Sequence, residues 1–496
     1  MRTLLLLALA LPISLAPGDE VMKDIEKRMR SSFPDARTTA VRKAAKHGTE
    51  EAWELVVRAL EDPEPQVADE AQVRLALIVD DDILTGLYGR DGLRSKDEWV
   101  RLRVAEALGR MTRYVDGRAL VKAISPRDPE VARALCWSLE RLARAEYLDG
   151  DPLALTKKLE PCLRARHQPL VRAAALSAVV ALRGSEAEEV VATGLEDRAR
   201  EVRCAALAAL VEVRGARAFG ALASAAADPE PAVRAQAVDE FERVGTRACV
   251  VALVDRLELE ERAALTWRIV AVLQRLTGMR YRRDPRPWRL FATNLPADWT
   301  RADADAAEVQ GSPTVALAGL PILSDRVAFL VDFSGSLWEH KVGERTRKEI
   351  LDERVRAVLE ALPEDTEFNV IPYTRDPLPW ADELVRARPK DVRKAVDFFE
   401  DCSARGPGNF FDAALLALAD PRVDTIVALT DGAPTGGRRY HLPLMVALLE
   451  EETRYRKVAF DSILIDASRR LELRWEDLAA RTKGRSISIE LATDDG

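Results

Sequence analysis

A chain of 496 residues is long enough for two or three domains, and its 47% apolar composition supplies cores that need no disulfide staples. A net charge of −8 argues against a nucleic-acid partner, because phosphate binding needs a basic footprint. After the first residues no run of ~18 apolar residues occurs, so the body is not expected to lie in a membrane.

At the N-terminus, Arg2 precedes an apolar run from Leu4 to Leu15 that ends on Ser14-Leu15-Ala16. This pattern matches a secretory signal peptide spanning residues 1–16, with cleavage after Ala16. Pro17 is an unfavourable first residue for many signal peptidases, which leaves an uncleaved anchor as the alternative. The expected location is outside the cytoplasm: periplasmic, cell-envelope or secreted. Cys136, Cys162, Cys204, Cys249 and Cys402 are odd in number and scattered, mostly among Ala, Leu and Val. They read as small core residues.

From about residue 20 to 280 one phrase returns every thirty residues or so: an acidic or breaker residue, Val-Arg or a variant, then an Ala/Leu-rich helix pattern. Val41-Arg42, Val67, Val100-Arg101, Val131, Val171-Arg172, Val202-Arg203 and Val233-Arg234 mark it. Asp62-Pro63-Glu64-Pro65, Asp128-Pro129-Glu130 and Asp228-Pro229-Glu230-Pro231 are expected boundaries, with Asp as N-cap and Pro in the first turn. The segment resembles HEAT repeats of the short kind found in phycobilin lyases. That resemblance implies an all-α solenoid serving as a protein-binding platform, or as a spacer supporting the C-terminal region.

Past Gly278 the repeat fails. Residues 281–323 read as a solenoid cap and linker, in which proline spacing argues against a continuous helix. Trp288 and Trp299 are expected to cover the apolar end of the last repeat, with an aromatic ligand site as the other reading.

Apolar runs at 326–332, 367–373, 423–430, 458–465 and 486–489 alternate with helical patterns at 347–362, 392–401, 442–455 and 471–482. This order specifies a doubly wound, Rossmann-like α/β sheet over 324–496, with Leu378-Pro379-Trp380 as a short edge strand. The first strand ends on Asp332-Phe333-Ser334-Gly335-Ser336 and a later one on Asp431. Hydroxyl and carboxylate oxygens so placed suit a hard divalent cation. The C-terminal region resembles a von Willebrand factor A (VWA) domain with a metal-ion-dependent adhesion site.

The resemblance implies that Asp332, Ser334, Ser336 and Asp431 hold Mg2+ or a similar cation, whose open position takes an acidic side chain of a protein partner. The family's further Thr ligand is Gly408 here, and Asn409 and Asp412 are the auxiliary candidates. No Gly-x-Ser-x-Gly, phosphate loop, His-Glu-x-x-His or Cys-x-x-Cys occurs. The expected function is a non-enzymatic adhesion or protein-binding scaffold. The alternatives are an enzyme related to HEAT-repeat lyases, a metal-assisted hydrolase, and an envelope protein with a vestigial metal loop.

Overall fold

Proline has a φ already near the helical value and no amide to lose, and it opens many of the helices in the first three hundred residues. The structure is a computed structural model and describes residues 17–301, 316–317, 319–339, 341–342 and 344–490. The expected signal segment 1–16, and residues 302–315 and 318 of the cap and linker, lie outside the described residues. Among the described residues no helix is long and apolar enough to cross a membrane.

The chain divides into two compact units, 1–107 and 108–496. In the first, α1 (Pro34–His47) packs on α2 (Pro65–Leu75) through Val41, Ala44, Val67 and Ala71, all with no exposed surface. In the second, α3 (Pro129–Arg144), α4 (Pro169–Arg183), α5 (Arg200–Arg214) and α6 (Pro231–Val244) pack each on the next. Next come α7 (Arg247–Leu259) and α8 (Ala263–Thr277), the latter packed on α6.

The Val-Arg arginines hold successive turns together. Arg203 grips Asp228 through two bonds of 2.9 and 2.8 Å and donates to the Asp197 carbonyl at 2.9 Å. Arg234 repeats this with Glu260, at 2.9 and 2.8 Å, and with the Asp228 carbonyl. Arg172 pairs with Asp197 through one of its terminal nitrogens. In the first unit the role falls to Arg37, which grips Asp62 at 2.7 and 2.9 Å and reaches the Ser31 carbonyl. Arg42, the sequence candidate, pairs instead with Glu70.

Of the three boundary aspartates, Asp128 is the N-cap of α3 as expected, and the other two differ. The N-caps of α2 and α6 are Glu64 and Glu230, without a side-chain cap bond. Asp62 and Asp228 sit two residues earlier, each accepting the amide of that glutamate while receiving the arginine. The carboxylate therefore joins a turn to the preceding helix rather than capping the next one.

The connector is more helical than its prolines suggest. Pro285 takes the N1 position of α9 (Pro285–Asn294), capped by the Asp284 side chain, and Pro287 still lies in the first turn, where no amide is needed. Trp288 is fully buried, its indole donates to the Arg282 carbonyl at 2.8 Å, and α9 packs on α7. The Trp299 carbonyl accepts the Arg247 amide at 3.0 Å, and Arg301 bonds back to Gly245.

The α/β region holds β1 (Arg326–Asp332), β2 (Glu367–Tyr373), β3 (Val385–Arg386), β4 (Thr425–Thr430), β5 (Ala459–Ile465) and β6 (Ser486–Ile489). They order as β6-β5-β4-β1-β2-β3, parallel except for β3. The edge strand is 385–386, while Leu378 and Trp380 give their amides to Pro372 and Val370 of β2 at 2.8 and 2.9 Å.

Val327, Phe329 and Val331 face α10 (Arg347–Ala361) and α11 (Pro389–Asp401). Ala328 and Leu330 face α12 (Phe410–Ala419), α13 (Leu442–Thr453) and α14 (Arg469–Thr482). Both faces are covered, which is why these strands read as continuous apolar runs.

Within the second unit the α/β region is fastened to the helical array. Arg454, just past α13, holds both oxygens of Glu140 at 2.7 Å. The Tyr455 and Ser177 hydroxyls lie 2.7 Å apart, Lys457 reaches Asp239 at 3.2 Å, and Arg262 reaches Asp424 at 2.8 Å. The five cysteines are unbridged, and four of them, Cys136, Cys162, Cys204 and Cys249, are buried.

Candidate metal-site edge

β1 and β4 are neighbours, yet the chain leaves β1 toward β2 on one side and reaches β4 on the other. Such a reversal opens a crevice beyond the carboxyl ends of the two strands. Asp332 ends β1, and Asp431 follows the last residue of β4, so the fold brings together two aspartates 99 positions apart. Asp332 is 2% exposed; its carboxylate accepts the Ser334 amide at 2.9 Å and the Thr430 hydroxyl at 2.8 Å.

Burial, reinforced by the charge of Asp431, pushes the Asp332 carboxyl up to about 6 against the lowering effect of those bonds. Burial and the Asp332 charge also raise the Tyr373 phenol beside it. A buried carboxylate with a second one beside it creates a local demand for positive charge.

Part of that demand is met from within the chain. Arg347, the first residue of α10, donates to Asp431 at 3.2 Å and to Asp466, after β5, at 2.5 Å. No sequence signal singled it out, because an arginine at a helix start is ordinary until its direction is known. Thr430 was likewise hidden inside an apolar strand.

Gly408 lies against the site: a Cβ built on it would be 3.1 and 3.3 Å from the two Asp332 oxygens. Its amide donates to the Thr435 hydroxyl at 2.9 Å. Asn409 caps α12 by accepting the Asp412 amide at 3.2 Å, and its amide group donates to the Arg375 carbonyl and to Asp412. Asp412 pairs further with Arg438. Both auxiliary candidates are thus engaged in the loop itself.

Ser334 bridges to Gly406 through the backbone, and Ser336 begins the short helix that succeeds it. Trp338 is half-buried with the Arg405 guanidinium 4.2 Å over its ring, a packing arrangement; His340 lies outside the described residues.

Domains of the VWA type commonly hold a divalent metal at this turn. Among the described residues no three His, Cys, Asp or Glu side chains gather as a metal-holding group. The oxygens of Asp332, Asp431 and the serine turn fit a hard cation in donor type. Arg347 competes with such a cation for Asp431.

The strand order, the Asp-x-Ser-x-Ser turn after β1 and the second aspartate after β4 agree with the resemblance of this region to a von Willebrand factor A domain. Over 130 residues the chain is 32% identical to inter alpha-trypsin inhibitor, heavy chain 4 of Mus musculus, covering 24% of this chain and 13% of that protein. Over 126 residues it is 31% identical to inter-alpha-trypsin inhibitor heavy chain H3 of Bos taurus, covering 23% and 14%. The match thus spans only 13–14% of the length of these curated relatives. Among solved structures, a von Willebrand factor type A protein from Catenulispora acidiphila aligns with a TM-score of 0.28 at 17% identity, covering 33% of this chain and 38% of that one. No family model matches.

Proposed function

We propose that the protein is an exported, non-enzymatic scaffold that binds a protein partner at the Asp332 edge of its VWA-type domain. In this reading residues 1–16 are the signal, 20–280 a HEAT-like solenoid, 281–323 its cap and linker, and 324–496 the VWA domain. Asp332, Ser334, Ser336 and Asp431 hold Mg2+, and an acidic side chain of the partner completes its shell. The observation that carries the reading is the buried Asp332 carboxylate facing Asp431 at the strand reversal, beside a serine turn. The helical array offers a second protein-binding surface of the kind stacked repeats present.

The contact between Arg347 and Asp431 favours a second reading, a structural envelope protein whose metal loop is vestigial. Pulldown from the cell envelope with and without Mg2+ separates them, using the full chain and its Ser334→Ala/Ser336→Ala variant. A partner retained only with Mg2+, and lost in the variant, supports the scaffold with its metal. Identical recovery in chelator and in the variant sinks the metal-dependent version and leaves the vestigial loop.

A further inference from the structure

A cavity of about 890 Å3 lies between the last helices of the array and the end of the sheet opposite the Asp332 edge. Its described lining carries ten Arg and Lys side chains and four Asp and Glu, in a chain whose net charge is −8. Many of these cations already have partners: Arg262 holds Asp424, Arg268 holds Asp239, and Arg485 holds Asp461.

Three cations do not. Among the described residues, Arg198, Arg456 and Lys483 have no carboxylate within ion-pair distance. They come from three separate places, the turn before α5, the loop before β5 and the turn after α14, and converge on one space. Arg456 donates to the Leu418 carbonyl at 3.1 Å, and the charges of Glu452 and Glu201 act on it against those of Arg133 and Arg200. Ala232, Ala235 and Ala271 line the same cavity with small side chains and leave room.

Three cations that hold no carboxylate directly and face one recess from three segments give it a positive potential that the fastening pairs do not require. A bound anion would use it. We propose that this cavity binds a small anion bearing several negative charges, of the oligophosphate type, with Arg198, Arg456 and Lys483 as its principal contacts.

The test is calorimetric titration of the full chain with tripolyphosphate and, separately, with metal-free ATP. Tripolyphosphate and ATP share the charged chain, so equal affinities indicate an inorganic ligand, and tighter ATP binding indicates an organic one that uses the alanine wall. Arg198→Ala and Lys483→Asn change exposed residues, and Asn tolerates the positive φ of 64° at position 483. Together they should weaken binding at least tenfold, and Arg456→Met should do the same. Asp332→Asn, at the other end of the sheet, should leave it unchanged. No saturable binding of either probe, or binding indifferent to all three cavity variants, would overturn the proposal.

Discussion

Removing Arg454 should loosen the α/β region where it is fastened to α3. Glu140 is 4% exposed, and both its oxygens are held by Arg454 at 2.7 Å. Burial works to raise the Glu140 carboxyl, and Arg454 and Arg144 outweigh it, so the group stays below its ordinary value. Breaking a buried pair by deleting one partner costs about 3–5 kcal/mol. Two features reduce the figure here: the Arg454 side chain is 32% exposed, and Arg144 remains at 3.1 Å from Glu140. A cost of about 2–3 kcal/mol for Arg454→Ala is therefore expected.

A chain of this size need not unfold in one step, so amide hydrogen exchange along α13 and β5 is the suitable assay. Exchange there should accelerate roughly 30- to 150-fold, from the tenfold per 1.4 kcal/mol equivalence. Arg481→Ala breaks pairs whose partners are 39% exposed and should accelerate it less than about fivefold. Glu140→Leu combined with Arg454→Met should recover part of the loss, because the Glu140 charge is no longer left buried without its partner, although Glu451 still loses Arg454. If Arg454→Ala behaves like Arg481→Ala, the fastening role assigned to this pair is wrong.

Three further outcomes are expected. Burial pushes Glu240, 2% exposed, up to about 7, so the folded state prefers its protonated form and stability falls as pH rises from about 4.5 through 7. Glu240→Gln should remove that fall, gaining about 2–3 kcal/mol on the parent between pH 5 and pH 8 in denaturant titrations, and parallel curves would refute it. Gly408 has no positive φ, so Gly408→Thr is sterically admissible once the Asp332 carboxylate shifts by a few tenths of an ångström. The added hydroxyl should tighten Mg2+ binding about tenfold in a thermal-shift titration, as expected for one contact to a charged group; an unchanged midpoint shift counts against the metal site. Trp288→Ala empties a fully buried indole site and should cost about 3–5 kcal/mol, read as a lowered denaturation midpoint.

Much of the α/β domain is legible from its strands. Parallel strands covered on both faces must be apolar throughout, and β1 and β4 announce themselves that way. One helix is not. Phe410, Phe411, Ala413, Ala414, Ala417 and Leu418 of α12 are buried at helical spacing, but Leu415, Leu416 and Ala419 on the other side are apolar as well, so the sequence offers no apolar–polar contrast of 3.6-residue period to detect. In the helical array the recurring Val-Arg phrase is visible, but the residue gripping the next turn in the first unit is Arg37, five positions before the expected one. An arginine's reach permits several partners, and only packing selects among them.

The same division holds at the site. The sequence alone determined that two aspartates end two buried strands, because a strand's composition and the turn after it are local properties of the chain. Only the tertiary structure decided that those strands are neighbours, that Arg347 reaches Asp431, and that Arg454 is held by Glu140, 314 positions earlier. Those contacts depend on where distant segments come to lie, which local preference does not encode and cooperative packing does.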